Sequence, residues 1–84
     1  MADRAALEQR LAKITEQIAN GERHIAQQRD IIAELERSDR PANYARYLLA
    51  SLEILQAARQ NFRSLLLKKL SNAVQHREKT TARA

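Results

Sequence analysis

Ser38-Asp39-Arg40-Pro41-Ala42-Asn43 is the one place in the chain where turn-forming residues cluster. Proline there lacks an amide hydrogen and disfavours helix in the residue before it, yet it suits the first turn of a helix that follows. Asp39 or Arg40 therefore marks a boundary and Pro41 opens a second helix. The spacing on either side predicts helix 1 over about 3–38, a turn at about 39–41 and helix 2 over about 41–76, with 77–84 a flexible basic tail. Asp3 is placed to cap the first helix, because its carboxylate can accept free amide hydrogens at that end.

Composition agrees with long helices and little else. The 84 residues include one Gly, one Pro, no Cys and no Trp, and 30% of them are charged. A sheet fold needs frequent turns that one Gly and one Pro cannot supply. A disulfide scaffold and a cysteine-ligated metal site are excluded outright. No 18-residue apolar run exists that could insert in a membrane. Met1-Ala2-Asp3-Arg4 leads into a charged amphipathic helix rather than a signal-peptide core, so a cytoplasmic location is expected. The fold class is all-α.

Helix 1 carries a seven-residue repeat. Leu11, Ile18, Ile25 and Ile32 form one row, and Leu7, Ile14, Gly21, Gln28 and Leu35 the other. Such a seam is the signature of a coiled coil. Asn20-Gly21 could have been a turn, but the phase runs through it without resetting. Continuity is favoured despite a cost of about 1 kcal/mol for glycine in a helix. In helix 2 the matching rows are Leu48, Leu55, Phe62 and Lys69, and Ala45, Leu52, Arg59, Leu66 and Ala73. Folding at residue 40 pairs positions whose numbers sum to about 80. Ile32 then meets Leu48, Ile25 meets Leu55, Ile18 meets Phe62, Leu35 meets Ala45, Ile14 meets Leu66 and Leu7 meets Ala73. Gly21 falls opposite Arg59, where a missing side chain leaves room for a long one. The expected architecture is an antiparallel two-helix hairpin.

Apolar residues remain outside that seam. Tyr47, Ile54, Ala58 and Leu65 make a second stripe on helix 2, and Ala12, Ala19, Ala26 and Ala33 recur in strict phase on helix 1. Alanine is also the best surface helix former, so the alanines alone admit either reading. Together the stripes mark a candidate oligomer interface, and a homodimeric four-helix bundle is the simplest closed arrangement. Gln28 and Arg59 interrupt the aliphatic layers. A polar residue in a seam often sets register at some cost in stability, and that role is favoured here over a small ligand pocket.

Catalysis needs a nucleophile with a base, convergent carboxylates or a metal site. His24 and His76 do not converge in the hairpin register. Glu16, Glu22, Asp30, Glu34 and Glu36 lack inward spacing, and neither a His-Glu-x-x-His motif nor a Gly-rich phosphate loop occurs. No enzyme, cofactor or metal is expected. The expected function is protein interaction and oligomerisation through coiled-coil packing, with the chain itself as partner or another helical protein in its place. Charge supports one rival. Residues 1–38 hold six basic and seven acidic side chains, a balance of −1, whereas residues 39–84 hold nine and three, a balance of +6. Arg63, Lys68, Lys69, Arg77 and Lys79 form a candidate basic patch for nucleic acid, as in a nucleoid-associated small protein. No aromatic platform accompanies them, and that alternative is not favoured.

Gly21-Glu22-Arg23-His24-Ile25, Gln28-Arg29, Ile32 and Leu35-Glu36-Arg37, followed by Ala45-Arg46, Leu48-Leu49 and Leu52-Glu53, resemble small, uncharacterised helical-hairpin proteins of soil alphaproteobacteria. The resemblance covers roughly residues 17–72. Members tend to join their helices through a Gly- or Thr-containing turn, where Ser38-Asp39-Arg40-Pro41 stands here. The resemblance implies a hairpin and a bacterial cytoplasm and carries no functional residues across.

Overall fold

The computed structural model describes the backbone of residues 2–83 and the side chains of residues 4–74. Two helices, α1 (Ala2–Arg37) and α2 (Asn43–Arg83), contain 36 and 41 residues and pack against each other. Contacts between them run in opposite senses along the two helices, from Glu36 with Arg46 and Gln28 with Ala45 near the turn to Ile18 with Gln56 and Thr15 with Arg63 further from it. The pair is therefore antiparallel, and its extents are 71 × 15 × 15 Å. α1 passes through Asn20-Gly21 unbroken.

A six-residue hydrogen-bonded reversal ends α1. The Arg40 amide donates to the Leu35 carbonyl at 2.9 Å, and inside that loop the Asp39 amide donates to Glu36 at 3.1 Å. This is the Schellman arrangement, which satisfies carbonyls that the helix end leaves free. Its pivot needs left-handed backbone, and Asp39 supplies it at φ 56°. Glycine usually fills that place because any Cβ is strained there, and a short polar side chain is the next best tolerated. Pro41 then stands just before α2 rather than inside it. The helix opens when the Arg46 amide donates to the Ala42 carbonyl at 2.9 Å.

At its other end α2 continues through Arg83, where the sequence pattern placed a flexible tail from 77. No Gly or Pro interrupts residues 77–83, so nothing there breaks the backbone ladder even after the apolar pattern fades. The Asp3 side chain lies outside the described residues.

The α1 half of the seam faces inward as spaced. Ile14 is buried, and Leu7, Leu11, Ile18, Ile25, Ile32 and Leu35 are half-buried. On α2 only one predicted row does so, and not to its end: Ala45 and Leu66 are buried, Leu52 and Arg59 half-buried, and Ala73 exposed. The row Leu48, Leu55 and Phe62 is instead exposed. Its place is taken by Ala42, Leu49, Gln56 and Leu70, one residue further along or six back. Both rows flank the 45/52/59/66 row at coiled-coil spacing, one three residues ahead and one four, so the repeat alone does not choose between them. The choice follows from Gln56, whose contacts with α1 are described below.

Because Asp39 holds a conformation that glycine adopts without strain, Asp39→Gly is expected to stabilise the hairpin by about 0.5–1 kcal/mol after glycine's larger loss of chain entropy. Urea denaturation at one protein concentration measures it. A loss of stability would mean that the Asp39 carboxylate contributes more than its backbone costs.

Candidate interaction surface

Two glutamines tie the helices together through main-chain oxygens. Gln28 of α1 donates its amide to the Ala45 carbonyl at 2.9 Å, and Gln56 of α2 donates to the Ile18 carbonyl at 2.8 Å. Each reaches backbone because a small residue clears the way. Ala45 has only a methyl group, and Gly21 lies beneath Gln56. The other end of the Gln56 amide accepts from Arg59 Nη1 at 3.4 Å. Gln56 is 5% exposed, yet no buried side-chain polar atom among the described residues lacks a partner. A buried amide is costly when unpaired and roughly neutral or better when paired, so this joint favours one register over a slipped one. Sequence spacing points to Gln28 and Arg59 and to the Gly21–Arg59 juxtaposition. It misses Gln56, whose position falls in a row that looks solvent-facing when Leu48, Leu55 and Phe62 are taken as the seam.

Turning α2 to bring Gln56 inward carries a second apolar row outward. Ile54 is 73% exposed, Leu65 58%, Leu55 47% and Phe62 46%, with Tyr44 at 74% and Tyr47 at 68%. Leu48, Ser51 and Ala58 complete the strip and are exposed as well. These positions follow a three-and-four spacing from 44 to 65, so they form one continuous stripe along the helix. The chain has two Tyr, one Phe and no Trp, and all three aromatic side chains stand on this stripe.

The other candidate residues are not gathered there. Ala12, Ala19, Ala26 and Ala33 are exposed on α1. Ala33 sits one turn from Glu36, which pairs with Arg46 at 2.7 Å. That ion pair marks the hairpin flank carrying the alanine row. Leu48, Leu55 and Phe62 project from the opposite flank of α2, so the two predicted halves of the interface lie on different sides of the molecule. The basic residues are dispersed too. Arg63 Nε donates to Thr15 Oγ1 at 3.2 Å across the hairpin, while Lys68 and Lys69 are exposed. At about 100° per residue these three positions point in three directions around α2 rather than along one face. The side chains of Arg77 and Lys79 lie outside the described residues.

His24 is exposed on α1, and the His76 side chain lies outside the described residues. Among the described residues no three His, Asp or Glu side chains gather as a metal-binding group would. No described helix is long and apolar enough to cross a membrane. Compared with known proteins, the chain matches no family model, no curated protein and no solved structure. Its functional reading rests on its own residues.

The Gln56 joint makes a sign-reversing prediction. Glycine to alanine inside a helix ordinarily gains about 1 kcal/mol. At position 21 the added Cβ would collide with the Gln56 amide and come within 2.8 Å of Arg59 Nη1. Gly21→Ala alone is therefore expected to destabilise by about 1 kcal/mol, as Gln56 gives up its carbonyl. In a Gln56→Ala background the same change should stabilise by a similar amount. Chemical denaturation of the four variants in a double-mutant cycle measures the coupling; additivity would show that Gln56 does not occupy the gap.

Proposed function

We propose that this chain is a non-enzymatic interaction module that forms a homodimer, a four-helix assembly in which the two α2 helices are the inner pair. The observation that carries the reading is the outer stripe of α2. A helix that presents apolar residues on one face needs one partner, whereas α2 presents them on two. α1 covers one face, and the other holds every aromatic side chain of the chain.

Surface area supports the same conclusion. A compact monomer of 9.6 kDa exposes about 5,100 Å². This chain exposes 6855 Å², an excess of about 1,800 Å² over that scaling. A standard interface removes about 800 Å² from each partner, so a second copy could cover much of what the hairpin leaves open. Only Ile14, Ala42, Ala45 and Leu66 are buried apolar residues among those described. Two of the four are alanines. That is a thin core for a chain that must offset the conformational entropy of two long helices. Aromatic and large aliphatic side chains at the centre of a contact, with charged residues kept to its rim, are the usual composition of an interface.

Light scattering behind a sizing column is expected to give twice the chain mass at micromolar concentration, and the thermal midpoint should rise with concentration, as linkage requires of a dimer that folds with its partner. Leu55→Glu, which alters an already exposed position, should weaken association by about tenfold or more. A monodisperse monomer with a concentration-independent midpoint would overturn the proposal.

A further inference from the structure

We infer that the two copies pack with their α2 helices antiparallel to each other, with the two-fold axis crossing between Gln56 and Ala57. The inference rests on the homodimer proposed above and adds its orientation and register. Two independent features of α2 lead to it.

The first is the order of large and small residues along the outer stripe. With the axis at that point, paired positions sum to 113. Phe62 then meets the partner's Ser51, and Leu55 meets the partner's Ala58. Each bulky residue faces a small one, as close packing across a helix pair needs. Leu48 meets the partner's Leu65, closing the aliphatic strip at both ends. A parallel pair would instead stack Phe62 on the partner's Phe62 and leave Ser51 facing the partner's Ser51, alternating crowded layers with empty ones.

Charge supplies the second feature. From residue 59 onward α2 carries Arg59, Arg63, Lys68, Lys69, Arg77, Lys79 and Arg83 against Glu78 alone. Parallel helices would lay these basic halves side by side, and like charges at such spacing are destabilising. Antiparallel helices send them to opposite ends of the assembly. The same register sets Lys69 of each copy against the partner's Tyr44. There the ammonium meets an aromatic ring, an attractive pairing, at the end of the hairpin that also carries Glu34, Glu36 and Asp39.

Because the chain has no cysteine, single-cysteine variants take one spin label per copy without side reactions. Asn43→Cys and Ser71→Cys place labels on exposed positions outside the stripe. In the antiparallel register position 43 lies level with the partner's position 70, so the two labels at 43 should be about 40 Å apart at 1.5 Å per residue. The two at 71 should be separated by about the same distance. Parallel helices with axes 8–10 Å apart would bring both pairs within about 20 Å once the label arms are included. Dipolar coupling between nitroxides distinguishes these outcomes. Short distances at both positions would overturn the orientation while leaving the homodimer standing. Absence of any intermolecular coupling at micromolar concentration would overturn both. Leu55→Glu should abolish the long distances, and their persistence in that variant would show that the copies meet through a different face.

Discussion

The gap over Gly21 is the feature on which the rest of the hairpin depends. It is the only position in α1 with no side chain, and into it comes the amide of Gln56, which finds the Ile18 carbonyl at 2.8 Å. Any slip of α2 along α1 would place a Cβ where that amide now sits, or strand a buried amide without a partner. Either change costs on the order of 1–3 kcal/mol, a large share of what so thin a core can supply. The Gln28–Ala45 bond repeats the same device nearer the turn. Two such ties fix translation, and because each is directional they fix rotation as well. Apolar packing supplies attraction between the helices, and the two amides decide how they meet.

That division of labour explains what the amino-acid pattern reveals and what it conceals. The turn is plain in sequence because Pro41 and the polar residues around it are chemically unlike everything else in the chain. α1 is plain because only one of its faces is aliphatic, so its phase has a single solution. α2 is ambiguous because it is aliphatic on two faces. The row 48/55/62 and the row 49/56/70 stand at coiled-coil distance from the same central row, and the first looks better because it holds Leu, Leu and Phe. Hydrophobicity alone ranks them in the wrong order. Gly21 holds the missing signal, since a glycine in a seam predicts that something long fills the space above it. Arg59 is the long residue in register, and Gln56, one turn before it, reaches the carbonyl.

Rotating α2 to satisfy an amide has a consequence beyond the hairpin. Every degree of turn that brings Gln56 in carries Leu55 and Phe62 out. One polar contact thus exchanges the most hydrophobic row of the helix from the intramolecular face to the external one. In an isolated hairpin this would be a poor exchange, because burying a Leu or Phe side chain contributes about 1.5–3 kcal/mol and a net hydrogen bond about 1 kcal/mol. It becomes favourable when a second copy covers the row that was surrendered. In the proposed homodimer, intramolecular register and external association would therefore be linked through the rotation of one helix.

The same linkage bears on how the charges are used. Arg63 continues the row of Gln56 and, although exposed, spans the hairpin to Thr15 rather than standing free. Lys68 and Lys69 fall on other sides of the helix. A positive excess in composition is often read as a single electrostatic surface, but a surface requires that the charges share a face. Here the spacing of Arg63, Lys68 and Lys69 sends the three described cations of this segment in different directions, so among the described residues the continuous feature on the outside of α2 is apolar. In the proposed homodimer, net charge would then act on alignment, since repulsion between the basic halves of α2 opposes parallel packing, while the aliphatic stripe would supply the attraction between the two copies at its centre.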